Sequence, residues 1–306
     1  MEKRTIITML TGLILAAHPQ AGRAADKESL KGTITLSGAW ALYPMAVTWA
    51  AEFRKIHPDV KIDISAGGAG KGVADALAGV VEIGMVSRDI NPAEIKKGAW
   101  WVSVTKDAVV PVINAKNPHI KNLLSKGVKK ETFTGLWITG RNKDFHVYTR
   151  SDACGAGETW AQYLGKKQED LLGTGVYGDP GLASAVKKDA LGIGYNNVNF
   201  VYDAKTKKPV EGLKILPIDL NNNGTLDKDE DFYNTRSDLV NAIIAGKYPS
   251  PPARDLHFVC GGKPKKIEVV EFIKWVLTDG QRFVSDAGYI KLGEAKLKEG
   301  LKKVND

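Results

Sequence analysis

Three short turns in this chain combine residue types that hold an anion: SGAWALYP at 37–44, SAGGAGKG at 65–72 and TRSDACGAGETW at 149–160. Each lies between an apolar, strand-like run and a helical pattern. Each therefore presents backbone N–H groups at the start of a helix, where they lack intrahelical acceptors and the helix dipole adds partial positive charge. Arg150 stands just before the third turn, and a guanidinium pairs bidentately with an oxyanion. These residues predict Arg150 as the main charged contact. The backbone N–H groups of Tyr43, Gly70, Lys71, Gly72, Gly155, Ala156 and Gly157 are expected to be the neutral donors, and the Lys71 side chain to be solvated.

A second constellation suits a hard cation. DLNNNGTLDKDE at 219–230 matches the twelve-residue calcium loop. Asp219, Asn221 and Asn223 fill positions 1, 3 and 5, Gly224 makes the turn at 6, and Thr225 offers a carbonyl at 7. Asp227 stands at 9 and Glu230 at 12 as the bidentate ligand. The preceding LKILPI reads as a strand, so this is a single loop with a structural Ca2+, not a paired sensor.

Other chemistry is poorly supplied. GGAGKG lacks both the GxxxxGK spacing and the third glycine of GxGxxG, and no GxSxG or HExxH occurs. The five histidines show no metal-ligand spacing. Cys154 at a helix start could serve a hydrolase as its thiolate, but no histidine is placed as its base, and the expectation is a non-enzyme. The only other cysteine is Cys260; a Cys154–Cys260 bond and two separate thiols are both compatible with an exported chain.

The elements that must position these turns follow from patterning. The 306 residues suit two lobes better than one core. Residues 1–25 read as an export signal: Lys3 and Arg4, an apolar run from Ile6 to Ala17, then small residues. That run is short of the roughly 20 residues needed to span a bilayer. Strands are predicted over 31–38, 59–65 and 81–87, with a helix opening at Pro44 whose core face is Met45, Trp49, Phe53 and Ile56. This β-α-β-α-β order implies a parallel sheet covered by helices. Further strands are read at 107–115, 146–150 and 255–260. Lobe 1 is expected over 26–112 and 255–306, and lobe 2 over 113–254. The formal net charge of +8 fits an anionic ligand, nucleic acid or nothing specific.

The order of leader, GAWALYP, Gly-rich turn, IGMVSR and Arg150 with its glycine turn resembles the phosphate-binding proteins of bacterial ABC-type phosphate uptake systems. The resemblance covers nearly the whole chain after the leader. It implies the α/β type II periplasmic binding protein fold, with a ligand cleft between two lobes joined by two crossover segments. It also implies a monomer that binds phosphate or a similar oxyanion, meets an ABC transporter permease and does not engage nucleic acid. Matched to the family's motifs, the ligand-binding residues are Ala41, Leu42, Tyr43, Ala69, Gly70, Lys71, Gly72, Ser87, Arg88, Arg150, Cys154, Gly155 and Ala156. Several depart from the family pattern. Ala41 stands where it has Thr, Ala69 and Gly70 where it has Ser, and Cys154-Gly155-Ala156 for Ser-Gly-Thr. With those hydroxyls replaced, an oxyanion-sensing or surface-interaction protein on the same fold is the alternative. The calcium-type loop is not a general feature of the family.

Overall fold

The computed structural model describes residues 29–141 and 143–306; the leader expected over 1–25 falls outside the described residues. Among these, eleven strands follow in chain order: β1 Gly32–Gly38, β2 Val60–Ala66, β3 Ile83–Val86, β4 Ala99–Asn114, β5 Val128–Lys129, β6 His146–Arg150, β7 Thr174–Val176, β8 Gly192–Asn197, β9 Leu213–Ile215, β10 Ile218–Asp219 and β11 Ala253–Gly261. The main sheet runs β2-β1-β3-β11-β4-β8-β6-β7, with β9 also on β4, while β10 and β5 pair separately. β1 is parallel to β2 and β3, and β6 is parallel to β7 and β8. β4 and β11 run antiparallel to their neighbours and to each other.

Two hydrophobic cores form on either side of these antiparallel strands. β4 packs into the first core through Ala99, Val102 and Val104, then into the second from Ala108 onward. β11 makes the reverse step between Ala253 and Leu256. The result is the two-lobed α/β fold with two crossovers. The first changeover lies before residue 112, because β4 is much longer than its sequence signal. Only its doubly buried end, from Asp107, reads as a continuous apolar run. Its first half mixes half-buried and buried positions.

Helix Tyr43–Ile56 buries Met45, Trp49 and Phe53 at the spacing that lays a stripe on one face. Trp49 also donates its indole N–H to the Gly280 carbonyl, 2.9 Å away. Ile56 is a correction: at the helix end it is 51% exposed and outside the core. Two elements that patterning missed matter for the site. Helix Gly178–Lys188 opens with Gly-Asp-Pro, which reads as a turn, and β8 is the Gly- and Asn-rich GIGYNN, buried at every position. No helix among the described residues is long and apolar enough to cross a membrane.

Candidate functional site

The turns of the two lobes meet. Gly70 of lobe 1 donates its N–H to the Ala153 carbonyl of lobe 2 at 3.2 Å. A Cβ on Gly68, whose φ is +90°, would lie 2.7 Å from that same oxygen, and a Cβ on Gly155 would lie 2.1 Å from the Ser87 carbonyl. Hydrogen is the only side chain that permits this approach. On another side the Trp40 ring stands edge-on to Tyr177 and Phe200, centroids 6.2 and 6.4 Å apart.

Arg150, at the end of β6, is 5% exposed and held by two carboxylates. Its Nε and Nη2 donate to Asp152 at 2.7 and 2.5 Å, and Nη1 donates to Asp179 at 2.6 Å. Burial alone would lower its pKa, but Asp179 and Asp152 outweigh it and raise it, so the charge is permanent. A guanidinium has five N–H donors; three are engaged here, and the other two have no acceptor among the described residues. Asp152 also accepts from the Gly178 N–H at 3.2 Å, which ties the arginine to the next helix start.

Arg88 is neutralised in the same manner. It forms a two-pronged pair with Glu94 at 2.7 and 3.0 Å, and its Nε lies 3.1 Å from Glu158 across the cleft. Burial and the neighbouring Glu94 and Asp89 push the Glu158 carboxyl up, against the pull of Arg88, which ranks second to burial. Two guanidinium groups therefore face four carboxylates, Asp152, Asp179, Glu94 and Glu158. An anion here must be held by directed N–H groups rather than by net positive charge.

Of the residues assigned from sequence, Gly70, Arg88, Arg150 and Cys154 line one cavity of about 880 Å³ between the lobes. Ser87 and Gly155 form the contact that closes the lobes. Ala156 and Gly155 open helix Gly155–Tyr163, and their N–H groups have no acceptor among the described residues. The other assignments come out differently. Ala41 and Leu42 are 1% and 0% exposed in the lobe 1 core, where the Tyr289 hydroxyl donates to the Ala41 carbonyl at 2.6 Å. The Tyr43 N–H is spent on the Trp40 carbonyl, since a 3-10 turn precedes the helix. Ala69 is fully buried. Gly72 gives its N–H to Gly68, and Gly157 gives its own to the Cys154 sulfur. Lys71 pairs with Asp75 on the outside of its helix.

The residues that sequence reasoning passed over are the carboxylates Asp179, Glu94 and Glu158, together with Gln168 and Asn197. Gln168 accepts from the Cys154 N–H at 3.1 Å and donates to the Asp152 carbonyl at 2.7 Å, bracing the third turn. Only Asp179, in the Gly-Asp-Pro helix start, carried a local signal.

Both cysteines are free and buried, Cys154 in the lobe 2 core and Cys260 in that of lobe 1. A bond between them is thereby excluded in this fold. Burial pushes the Cys154 thiol up to about 12, beyond what Arg150 offsets, so it is a neutral thiol and unsuited to nucleophilic attack.

The loop 219–230 folds around its own carboxylates. Asp219 accepts from the Asn223 and Gly224 N–H groups, and Glu230 from those of Leu220, Asn221 and Asp227. Asn221 and Asn223 both donate their amides to Asp227 at 2.8 Å. Gly224 has φ +80°, as the tight turn requires. Asp219 and Glu230 are only 2% and 3% exposed. Among the described residues no cationic side chain pairs with either; Lys129 instead reaches the Asn222 carbonyl at 2.6 Å. Nor, among these residues, do three His, Cys, Asp or Glu side chains gather as a ready metal cage.

Comparison with known proteins agrees with this architecture. A family model described as a PBP superfamily domain matches residues 23–280. The phosphate-binding protein PstS of Staphylococcus epidermidis is 26% identical over 309 residues, covering 96% of this chain and 89% of that protein. PstS of Bacillus subtilis is 28% identical over 236 residues, covering 70% and 77%. A crystal structure from Clostridium perfringens, named as a phosphate ABC transporter substrate-binding protein with bound phosphate, superposes with a TM-score of 0.70 at 21% identity. It covers 86% of this chain and all of that one.

Proposed function

This chain belongs to the PBP superfamily, and we propose from that premise that it is an exported solute-binding protein that captures phosphate or a related oxyanion for an ABC transporter. The observation that carries this reading is the cavity between the lobes, lined by Arg88, Arg150 and Cys154, with three of the five Arg150 N–H donors engaged; the next helix opens with Gly155 and Ala156, whose N–H groups have no acceptor among the described residues. A buried carboxylate beside those donors suits a protonated oxyanion. Asp152 borders the cleft and can accept the ligand's proton, whereas Asp89 is exposed. The protein works as a monomer, without catalysis, by closing its lobes on the ligand and presenting the closed form to the permease.

Calorimetry of the protein without residues 1–25 against phosphate, sulfate, arsenate and molybdate tests this. Tight binding of at least one of them supports it; binding of none removes the transport reading. A second reading, an oxyanion-sensing or surface-interaction protein, is favoured by the excess of carboxylates over arginines at the site. Millimolar rather than micromolar affinity would select it.

We also propose that loop 219–230 takes a structural Ca2+ through Asp219, Asn221, Asn223, the Thr225 carbonyl, Asp227 and Glu230. Two buried carboxylates without a cationic partner support this, because a buried charge is costly unless paired. The Asn amides must turn their oxygens inward, exchanging bonds to Asp227 for bonds to the ion. Extracellular sites of this type bind at roughly 0.1–1 mM. Calcium at a hundred times its Kd adds about 2.7 kcal/mol to stability by mass action. The melting temperature should therefore rise by several degrees between chelator and about 10 mM calcium. The gain should vanish in Glu230→Gln. An identical melt in both conditions, or a wild-type response in Glu230→Gln, removes the site.

A further inference from the structure

A continuous line of buried side chains joins the crossover strands to the anion site. Asp107 on β4 and Arg254 on β11 are direct cross-strand partners where each strand passes from one core to the other. Arg254 Nε donates to Asp107 at 3.0 Å, and its Nη1 donates to Thr159 at 3.0 Å, in the helix whose start carries the free N–H groups. Its Nη2 donates to the Asn197 side-chain oxygen. Asn197 in turn donates its amide to Asp179 at 2.6 Å, and Asp179 accepts from Arg150. Asp107, Arg254, Asn197, Asp179 and Arg150 are all at most 8% exposed.

We infer that Arg254 and Asn197 are positioning residues for Arg150, coupling the angle of the two crossover strands to the orientation of the guanidinium that meets the ligand. The geometry leaves little slack. Asp179 has one carboxylate oxygen on Arg150 and the other on Asn197, so a shift of Asn197 moves the arginine's anchor. The Asn197 side chain follows Arg254 because its amide oxygen has no other donor among the described residues, while its backbone is paired with Val109 of β4 and donates its N–H to Asp179 at 3.3 Å. When the crossovers bend, the cross-strand pair changes its angle to lobe 2, and the line relays that change to the site. Binding is then strongest only in the closed geometry, where Arg150 presents its two free donors squarely. Burial also pushes the Asp107 carboxyl up to about 6 against the attraction of Arg254, so the pair depends on keeping both members.

The inference rests on the oxyanion reading for its affinity readout, but a second readout does not need a ligand. In arginine-labelled protein, the Nε–H resonance of Arg150 is identified by its disappearance in Arg150→Lys. Asn197→Ala cuts the line without stripping either Asp107 or Asp179 of its arginine. The expected result is a displaced or broadened Arg150 Nε–H signal in the free protein. Inorganic phosphate should also bind about tenfold or more weakly. The effects of Asn197→Ala and Arg150→Lys on affinity should be non-additive by threefold or more, which a merely structural role for Asn197 would not produce. If Asn197→Ala does not fold, Asn197→Ser makes the same cut with a smaller loss of polarity. An unmoved Arg150 signal in a folded variant overturns the coupling. So do additive effects on affinity. Should the wild type bind no phosphate, the oxyanion reading fails and the resonance alone decides the coupling.

Discussion

Arg150→Ala should cost the protein both its ligand and much of its stability. The substitution strands Asp152 and Asp179, two carboxylates 7% and 1% exposed at their side chains. Breaking a buried ion pair from one side costs about 3–5 kcal/mol, because the remaining charge is left without compensation. The ligand loses charged hydrogen bonds worth about 1.5–3 kcal/mol, which is at least a tenfold loss of affinity. Denaturant melts give the first quantity and calorimetry with phosphate the second. Arg150→Lys should keep the charge but not the three-pronged geometry, and fall between. Lys71→Ala should change little, since Lys71 is half exposed and pairs only with Asp75. Full affinity in Arg150→Ala would falsify the assignment of this residue to the ligand.

Gly155→Ala should stop the lobes from closing while leaving each lobe intact. The added methyl carbon would sit 2.1 Å from the Ser87 carbonyl and 2.3 Å from its hydroxyl oxygen. The first is backbone and cannot swing aside. Gly155 has no positive φ, so alanine is tolerated locally and even favours the helix it begins. The penalty therefore falls on closure alone. Overpacking of this kind costs about 1–3 kcal/mol, or roughly a five- to 150-fold loss of affinity. Small-angle scattering should show ligand-induced compaction in the wild type and much less in the variant, with similar melts for the two free proteins. A variant that compacts and binds as the wild type does would sink the closure argument. Gly70→Ala is the milder comparison, because its Cβ would first meet the Ala153 methyl at 3.0 Å.

The lobes and the turns were legible in the sequence because they depend on local signals. Alternating apolar runs, Pro44 at a helix start and glycines between strand and helix each act within a few residues. The calcium-type motif is legible for the same reason, as its oxygen-bearing residues lie along twelve consecutive positions. Arg150 could be singled out because it stands directly beside such a turn. What the arginine is bonded to could not be read. Asp152 is two residues away, but Asp179 comes from another helix and Asn197 from a strand with no apolar alternation.

The same division explains the donors that were misassigned. A helix start always offers free N–H groups, so sequence establishes that Tyr43, Gly70 and Gly157 begin with them. Which acceptor they find is decided by packing: a 3-10 turn for Tyr43, the opposite lobe for Gly70 and a cysteine sulfur for Gly157. The separation of the two thiols is also tertiary, since nothing local tells that Cys154 and Cys260 fall in different cores. By itself the sequence determined the α/β class, the strand-to-helix turns with Arg150 beside the third, and the twelve-residue spacing of the cation-type motif. Only the tertiary structure decided that four carboxylates surround the two arginines and that the crossover pair Asp107–Arg254 reaches the site. Charge balance and coupling arise between residues that the chain separates by up to 147 positions, and such pairs meet only once both cores have formed.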